Sequence, residues 1–166
     1  MSEISDLNFN KVIDDLLKKE GGYVNDPSDK GGETKYGISK RSYPEVDIKN
    51  LNIKDVKEIY KKDFWDDKFY SEILDCIIAG RLFNFAVNAG NKAVNIICQR
   101  AIRACGVNLE DDGIIGVKTL EALKTIDYSN FDIALKCEIA GYYRCIVAKN
   151  PTQDKFIKGW LNRAYS

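Results

Sequence analysis

Apolar residues recur at helical spacing along almost the whole chain, and one stretch, residues 22–46, breaks that spacing. Phe9, Val12, Ile13 and Leu16 fall on one face of a first predicted helix, and Glu20 continues the same face. Asn8 is its expected N-cap and Gly21-Gly22 its expected stop. Residues 22–46 then hold Pro27, Pro44 and four glycines among Asp, Ser and Thr, and the alternation Thr34, Tyr36, Ile38 fits one short strand, in a hairpin. From Asn52, a candidate cap, the helical period returns with Val56, Ile59, Tyr60 and Phe64. Leu74, Ile78, Leu82 and Phe85 mark a further helix with Gly80 as its weak point, and residues 82–89 are apolar nearly all round, as a central buried helix would be. A long helix should start near Asn130 and stop before Pro151. The expected fold is mainly α, a helical bundle around that central helix with one irregular or short β segment at about residues 22–46.

Composition narrows the chemistry. The 166 residues contain no histidine. That removes Ser-His-Asp and Cys-His catalysis, HExxH motifs and every His-ligated metal centre. A hydrolase built from this chain must work through carboxylates, which is sufficient for glycoside hydrolysis. The five cysteines are odd in number, show no CxxC spacing and sit mostly in apolar, helix-like runs, so they read as buried free thiols in a reducing compartment. With 25 Lys+Arg against 25 Asp+Glu the net charge is zero, and no basic stripe marks a nucleic-acid binder. Any recognition of an anionic cell wall must therefore be local. No apolar run is long enough to span a membrane, and the acidic stretch Met1 to Asp6 lacks the features of a secretory signal, which points to synthesis in the cytoplasm.

The segment from Glu20 to Ile38 carries the candidate chemistry. A carboxyl on an apolar face loses hydration and its pKa rises, which suits a general acid; the same position also fits a helix-end carboxylate that is solvated or paired with an arginine. The second carboxyl could be Asp26, Asp29 or Glu33. Asp29, between Ser28 and Lys30, should stay ionised, and it equally fits a turn residue before Gly31-Gly32. Thr34 could position a water, or be an ordinary strand threonine. An EF-hand reading from Asp26 fails at Lys30 and Gly37, and a phosphate loop fails because Ile38 stands where lysine is needed. Further along, Asn84 and Asn88 share a face of an otherwise apolar helix, where they could serve loop backbone or bond a substrate's acetamido group. Tyr36 and Trp65 could stack on sugar rings or belong to the core. No cofactor or metal is implied.

Glu20-Gly21-Gly22-Tyr23, Asn25-Asp26-Pro27, Asp29 and Gly31 through Ile38 closely resemble the N-terminal motif of glycoside hydrolase family 108, muramidases of phages and bacteria. The resemblance continues in Tyr60 to Trp65, in Leu82 to Gly90 and in Gly159-Trp160-Leu161-Asn162-Arg163. It implies a lysozyme-like α+β fold with Glu20 as catalytic acid. Similarity to phage-type lysozymes maps their Asp and Thr onto Asp29 and Thr34, with Thr34 one residue early. Asp112-Gly113-Ile114-Ile115-Gly116 followed by Thr119 resembles a turn of wall-binding domains, and is physically a tight turn entering a helix.

The expected organisation is a catalytic lobe over residues 1–81 and a helical lobe resembling a peptidoglycan-binding domain over 82–166, packed as one compact unit. The implied activity is hydrolysis of the β-1,4 bond between N-acetylmuramic acid and N-acetylglucosamine, for cell lysis as an endolysin. The alternative is a non-catalytic peptidoglycan-binding or secretion-associated regulator. Expected partners are peptidoglycan and a holin or secretion machinery for export, with the chain a monomer acting in the periplasm or on the wall.

Overall fold

The computed structural model describes residues 3–19, 22–25 and 32–166. The chain divides into two compact units, Met1–Phe83 and Asn84–Ser166, with the boundary inside a helix.

The first unit starts with α1 (Glu3–Lys19), continues through a hairpin of β1 (Thr34–Lys35) and β2 (Ile38–Ser39), and then α2 (Ile53–Phe64), a 3-10 turn (Phe69–Glu72) and the first part of α3 (Cys76–Ala89). The apolar face of α1 is buried as its spacing requires: Phe9, Val12, Ile13 and Leu16 are all within the core. Asn8 is not a cap. α1 begins five residues earlier, and the Asn8 amide is buried, donating to the carbonyls of Ile73 and Leu74. Asn52 caps α2 as expected, in a reciprocal capping box with Asp55. Lys57 and Lys61 of α2 reach back to Asp14 and Asp6 of α1 at 2.6 and 2.7 Å.

Trp65 lies at the centre of this core with no exposed surface. Phe9, Phe83 and Tyr70 surround it with ring centroids 5.6, 5.7 and 6.0 Å away. Its indole N–H donates to the Ser5 hydroxyl at 3.0 Å. Gly80 of α3 faces Val12: a Cβ built there would stand 3.1 Å from a Val12 methyl, so the glycine that looks like a weak point is what allows α1 and α3 to approach.

The second unit holds the rest of α3, then α4 (Asn91–Ala104), α5 (Val117–Thr125), α6 (Tyr128–Lys149), a 3-10 turn (Pro151–Gln153) and α7 (Asp154–Tyr165). Asp127 caps α6 through the N–H groups of Ser129 and Asn130. The core is built on Phe131, Leu135, Ile139 and Tyr143 of α6 against Val94, Ile97, Cys98 and Ile102 of α4. Of the cysteines only Cys98 is fully buried, and burial raises its thiol pKa; Cys137 and Cys145 are exposed, because they lie on faces of α6 turned to solvent.

The loop before α5 is clamped by α4. Gln99, 1% exposed, donates to Asp112 and the Ile114 carbonyl and accepts from the Gly113 N–H. Asn95 donates to the Gly113 carbonyl, and Arg100 and Arg103 both hold Asp111. Gly113 has φ +78°, so the turn needs a residue that tolerates the left-handed region.

Candidate active site

The described part of the site is a three-run β arrangement with Thr34 in the middle. Thr34 exchanges both backbone hydrogen bonds with Val24, each at 2.8 Å, and pairs with Ser39 across the hairpin. Val24 was not expected to pair, because an isolated bridge of one residue leaves no alternation to read. Thr34 is half-buried, and its hydroxyl reaches the Gly32 carbonyl at 3.4 Å, the outer edge of a hydrogen bond. Its backbone is fixed on both sides while its hydroxyl is weakly engaged.

The hairpin turn is Tyr36-Gly37, with φ of 51° and 77°. Two left-handed residues make a type I′ turn, whose twist matches that of the flanking strands. Asparagine or glycine would take the first position easily; a tyrosine there is strained by roughly 1–2 kcal/mol. The strain is held by the core: the buried Tyr60 of α2 donates its phenol to the Tyr36 carbonyl. Lys35 anchors the same hairpin by donating to the Lys49 carbonyl at 2.9 Å, and its ammonium stands 5.9 Å from the Tyr36 ring.

Glu33, one of three possible second carboxyls, accepts a hydrogen bond from the Tyr23 phenol at 3.0 Å. Partial burial, then that bond, raise the Tyr23 pKa. Sequence alone could not pair two residues ten positions apart across irregular backbone. Behind the hairpin, Tyr43 donates to Asp63 at 2.7 Å, and desolvation followed by that carboxylate raises its pKa as well.

The site residues fall in three places. Thr34 and Tyr36 stand together on the hairpin. Glu20, Asp26 and Asp29 lie outside the described residues. Trp65 does not line a sugar site: with no exposed surface and its N–H committed to Ser5, it has no face to offer, because it follows the last residue of α2 and is packed among Phe9, Tyr70 and Phe83. Asn84 and Asn88 lie in the second unit. Asn84 is half-buried; Asn88 is exposed, and its amide donates to the Asn84 carbonyl and accepts from Arg163, both at 2.6 Å. Asn88 therefore ties α3 to α7. Among the described residues no group of three or more metal-ligating side chains occurs, and no helix is long and apolar enough to cross a membrane.

Residues 13–90 match the family Glycosyl hydrolase 108. Over that segment the chain belongs to this family. Residues 92–165 match a second family, described as a predicted peptidoglycan domain. The glycosyl hydrolase 108 segment thus contains the hairpin and the whole Glu20–Ile38 motif, and the second segment covers α4 to α7. A solved structure of Brucella abortus SagA is similar with a TM-score of 0.76 at 24% identity, over 96% of this chain and 91% of that one. That likeness concerns the fold, and it agrees with the mainly α, lysozyme-like architecture expected from the sequence. No curated protein sequence matches the chain. The chain thus carries a glycosyl hydrolase 108 segment followed by a peptidoglycan domain, which supports a glycoside hydrolase and peptidoglycan as its substrate or partner.

Proposed function

We propose that this glycoside hydrolase is an N-acetylmuramidase, cutting the β-1,4 bond between N-acetylmuramic acid and N-acetylglucosamine. The observation that carries this reading is the family match over residues 13–90, which spans Glu20, Asp29 and Thr34 in one segment. Glu20 protonates the leaving oxygen. Asp29 either stabilises the developing positive charge or, with Thr34, activates water; a carboxyl separation of about 5 Å would give retention and roughly 6.5–9.5 Å inversion. Tyr36 contributes a ring at the edge of the site. The absence of histidine supports a mechanism run by carboxylates. The substrate lies outside the cytoplasmic membrane, so the enzyme acts there after passage through a holin or a dedicated secretion machine, and lysis as an endolysin is the role that fits best.

The test is digestion of purified Gram-negative peptidoglycan by wild type and Glu20→Gln, with mass analysis of the fragments. New reducing muramic acid ends from wild type, and none from a folded Glu20→Gln, are expected. Reducing N-acetylglucosamine ends, or no fragments from several wall types, would defeat the assignment.

A further inference from the structure

The neutrality of the chain conceals two opposite charges. The 1–83 unit holds 14 Lys+Arg and 17 Asp+Glu, a net of −3, and the 84–166 unit holds 11 and 8, a net of +3. Within the second unit the excess is concentrated further. Residues 84–143 carry 6 cationic and 7 anionic side chains, whereas 144–166 carry 5 and 1. Ion pairing sharpens the contrast. Arg100, Arg103 and Lys136 are neutralised by Asp111 and Asp132, but among the described residues no ion pair engages Arg144, Lys149, Lys155, Lys158 or Arg163. Lys92, Lys118 and Lys124 are likewise outside any ion pair among the described residues, but five of the eight such cations of this unit lie on α7 and the end of α6.

The exposed face of α7 is shaped as well as charged. Lys155, Lys158 and Asn162 follow one another at helical spacing, and Phe156 and Arg163 flank them, all exposed. Phe156 stacks on Trp160 at 5.7 Å and 30°, and Trp160 on the buried Tyr143 at 5.2 Å and 24°. This near-parallel aromatic stack runs from the core to the surface, so the Phe156 ring is held rigidly. Gly159 occupies the middle of the face. Its φ is not in the left-handed region, and a Cβ there would meet nothing within 4 Å. Neither packing nor backbone geometry calls for glycine at this exposed mid-helix position, where alanine would be the better helix former. A missing side chain between two lysines and an aromatic ring leaves a shallow floor on which a ligand can reach the helix.

We infer that this face of α7 is the contact through which the second unit holds peptidoglycan: Lys155, Lys158 and Arg163 take stem-peptide carboxylates, and a sugar ring lies over Gly159 against Phe156. The inference rests on peptidoglycan being the substrate, as proposed above, and adds where and by what chemistry it is held. Positive charge on this face complements the anionic wall, and the adjoining aromatic and amide groups suit a sugar better than they suit a lipid surface or nucleic acid.

The experiment uses the full chain as wild type, as Lys155→Gln/Lys158→Gln and as Gly159→Ala. Retention is measured on ice with purified Gram-negative sacculi, with the same sacculi after amidation of their carboxyls, and with phosphatidylglycerol vesicles. Turnover is measured separately on soluble glycan strands stripped of stem peptides. Removing the two lysines should weaken sacculus binding by roughly tenfold, and amidation or added salt should weaken wild type similarly. Gly159→Ala should also bind more weakly while its Tm stays level or rises by about 2–4 °C, which a merely structural glycine would not combine. Wild-type retention by both variants, or equal wild-type retention on the lipid vesicles, would overturn the inference. A wild type that binds sacculi in this pattern but never cleaves strands would overturn the muramidase reading and leave the binding face standing.

Discussion

The phenol of Tyr60 donates to the main-chain carbonyl of Tyr36 at 3.1 Å, so a core helix holds the strained turn of the β1–β2 hairpin. Removing that donor isolates the link. Tyr60→Phe keeps the ring packed against Phe64 and Phe83 and loses one hydrogen bond to a carbonyl. The expected stability loss is about 1 kcal/mol. Turnover should fall by more than this loss explains, because the left-handed Tyr36 is no longer fixed. Urea unfolding and turnover on the same preparations check both. Unchanged turnover would mean that β1 and β2 hold the turn unaided.

Trp65 and Ser5 give a second test, aimed at the core. Ser5→Ala leaves a fully buried indole N–H without its acceptor, at a cost of about 1–3 kcal/mol. Trp65→Ala should cost about 3–5 kcal/mol through the cavity it leaves among Phe9, Tyr70 and Phe83. KM of the folded Ser5→Ala protein should match wild type, since Trp65 contacts core side chains and no solvent. A raised KM with unchanged stability would return Trp65 to the substrate.

These two residues also show what could be read in advance. The stripe Val56, Tyr60, Phe64 made α2 legible, because helical period survives in sequence. Trp65 sits one step past that stripe, and only the turn that follows α2 carries it inward under α1. Asn8 failed for the same reason: its amide serves carbonyls more than sixty residues away, and a cap is recognised only by neighbours in sequence. The hairpin was legible as a strand from Thr34, Tyr36 and Ile38, yet its turn was not. Tyr-Gly is a poor type I′ sequence, and the Tyr60 bond that makes it tolerable is a tertiary contact. Asn84 and Asn88 were legible as one face; that Asn88 is bonded to Arg163 of α7 depends on helix packing across 75 residues.

Asp111 provides a pH-dependent test in the second unit. Hydrogen bonds from Arg100, then Arg103, hold its carboxyl at about 2, below the ordinary aspartate value. A depressed folded pKa contributes stability that is present above the unfolded value near 4 and is lost as pH falls through about 2. The Tm gap between wild type and Asp111→Asn should therefore be constant above about pH 5, narrow between pH 4 and 2, and shrink with added salt. Thermal melts across this range decide it. A gap that persists at pH 2 would place the role of Asp111 in geometry and not in charge.

Gly80 offers the sharpest test of packing. In an open helix, Gly→Ala stabilises by about 1 kcal/mol. Here the new Cβ would lie 3.1 Å from one Val12 methyl and 3.7 Å from the other. Val12 is buried and β-branched, so its rotamer cannot swing to make room. Overpacking of this kind costs about 1–3 kcal/mol, which outweighs the propensity gain and leaves a net loss on the order of 1 kcal/mol. The clash disappears when Val12 is truncated. Gly80→Ala placed on Val12→Ala should therefore be neutral or stabilising, because only the propensity term and partial filling of the Val12 cavity remain. Chemical denaturation of the four proteins of this cycle measures the coupling directly. Equal effects of Gly80→Ala in both backgrounds would show that α1 yields locally, and that the glycine is not what sets the approach of α1 to α3.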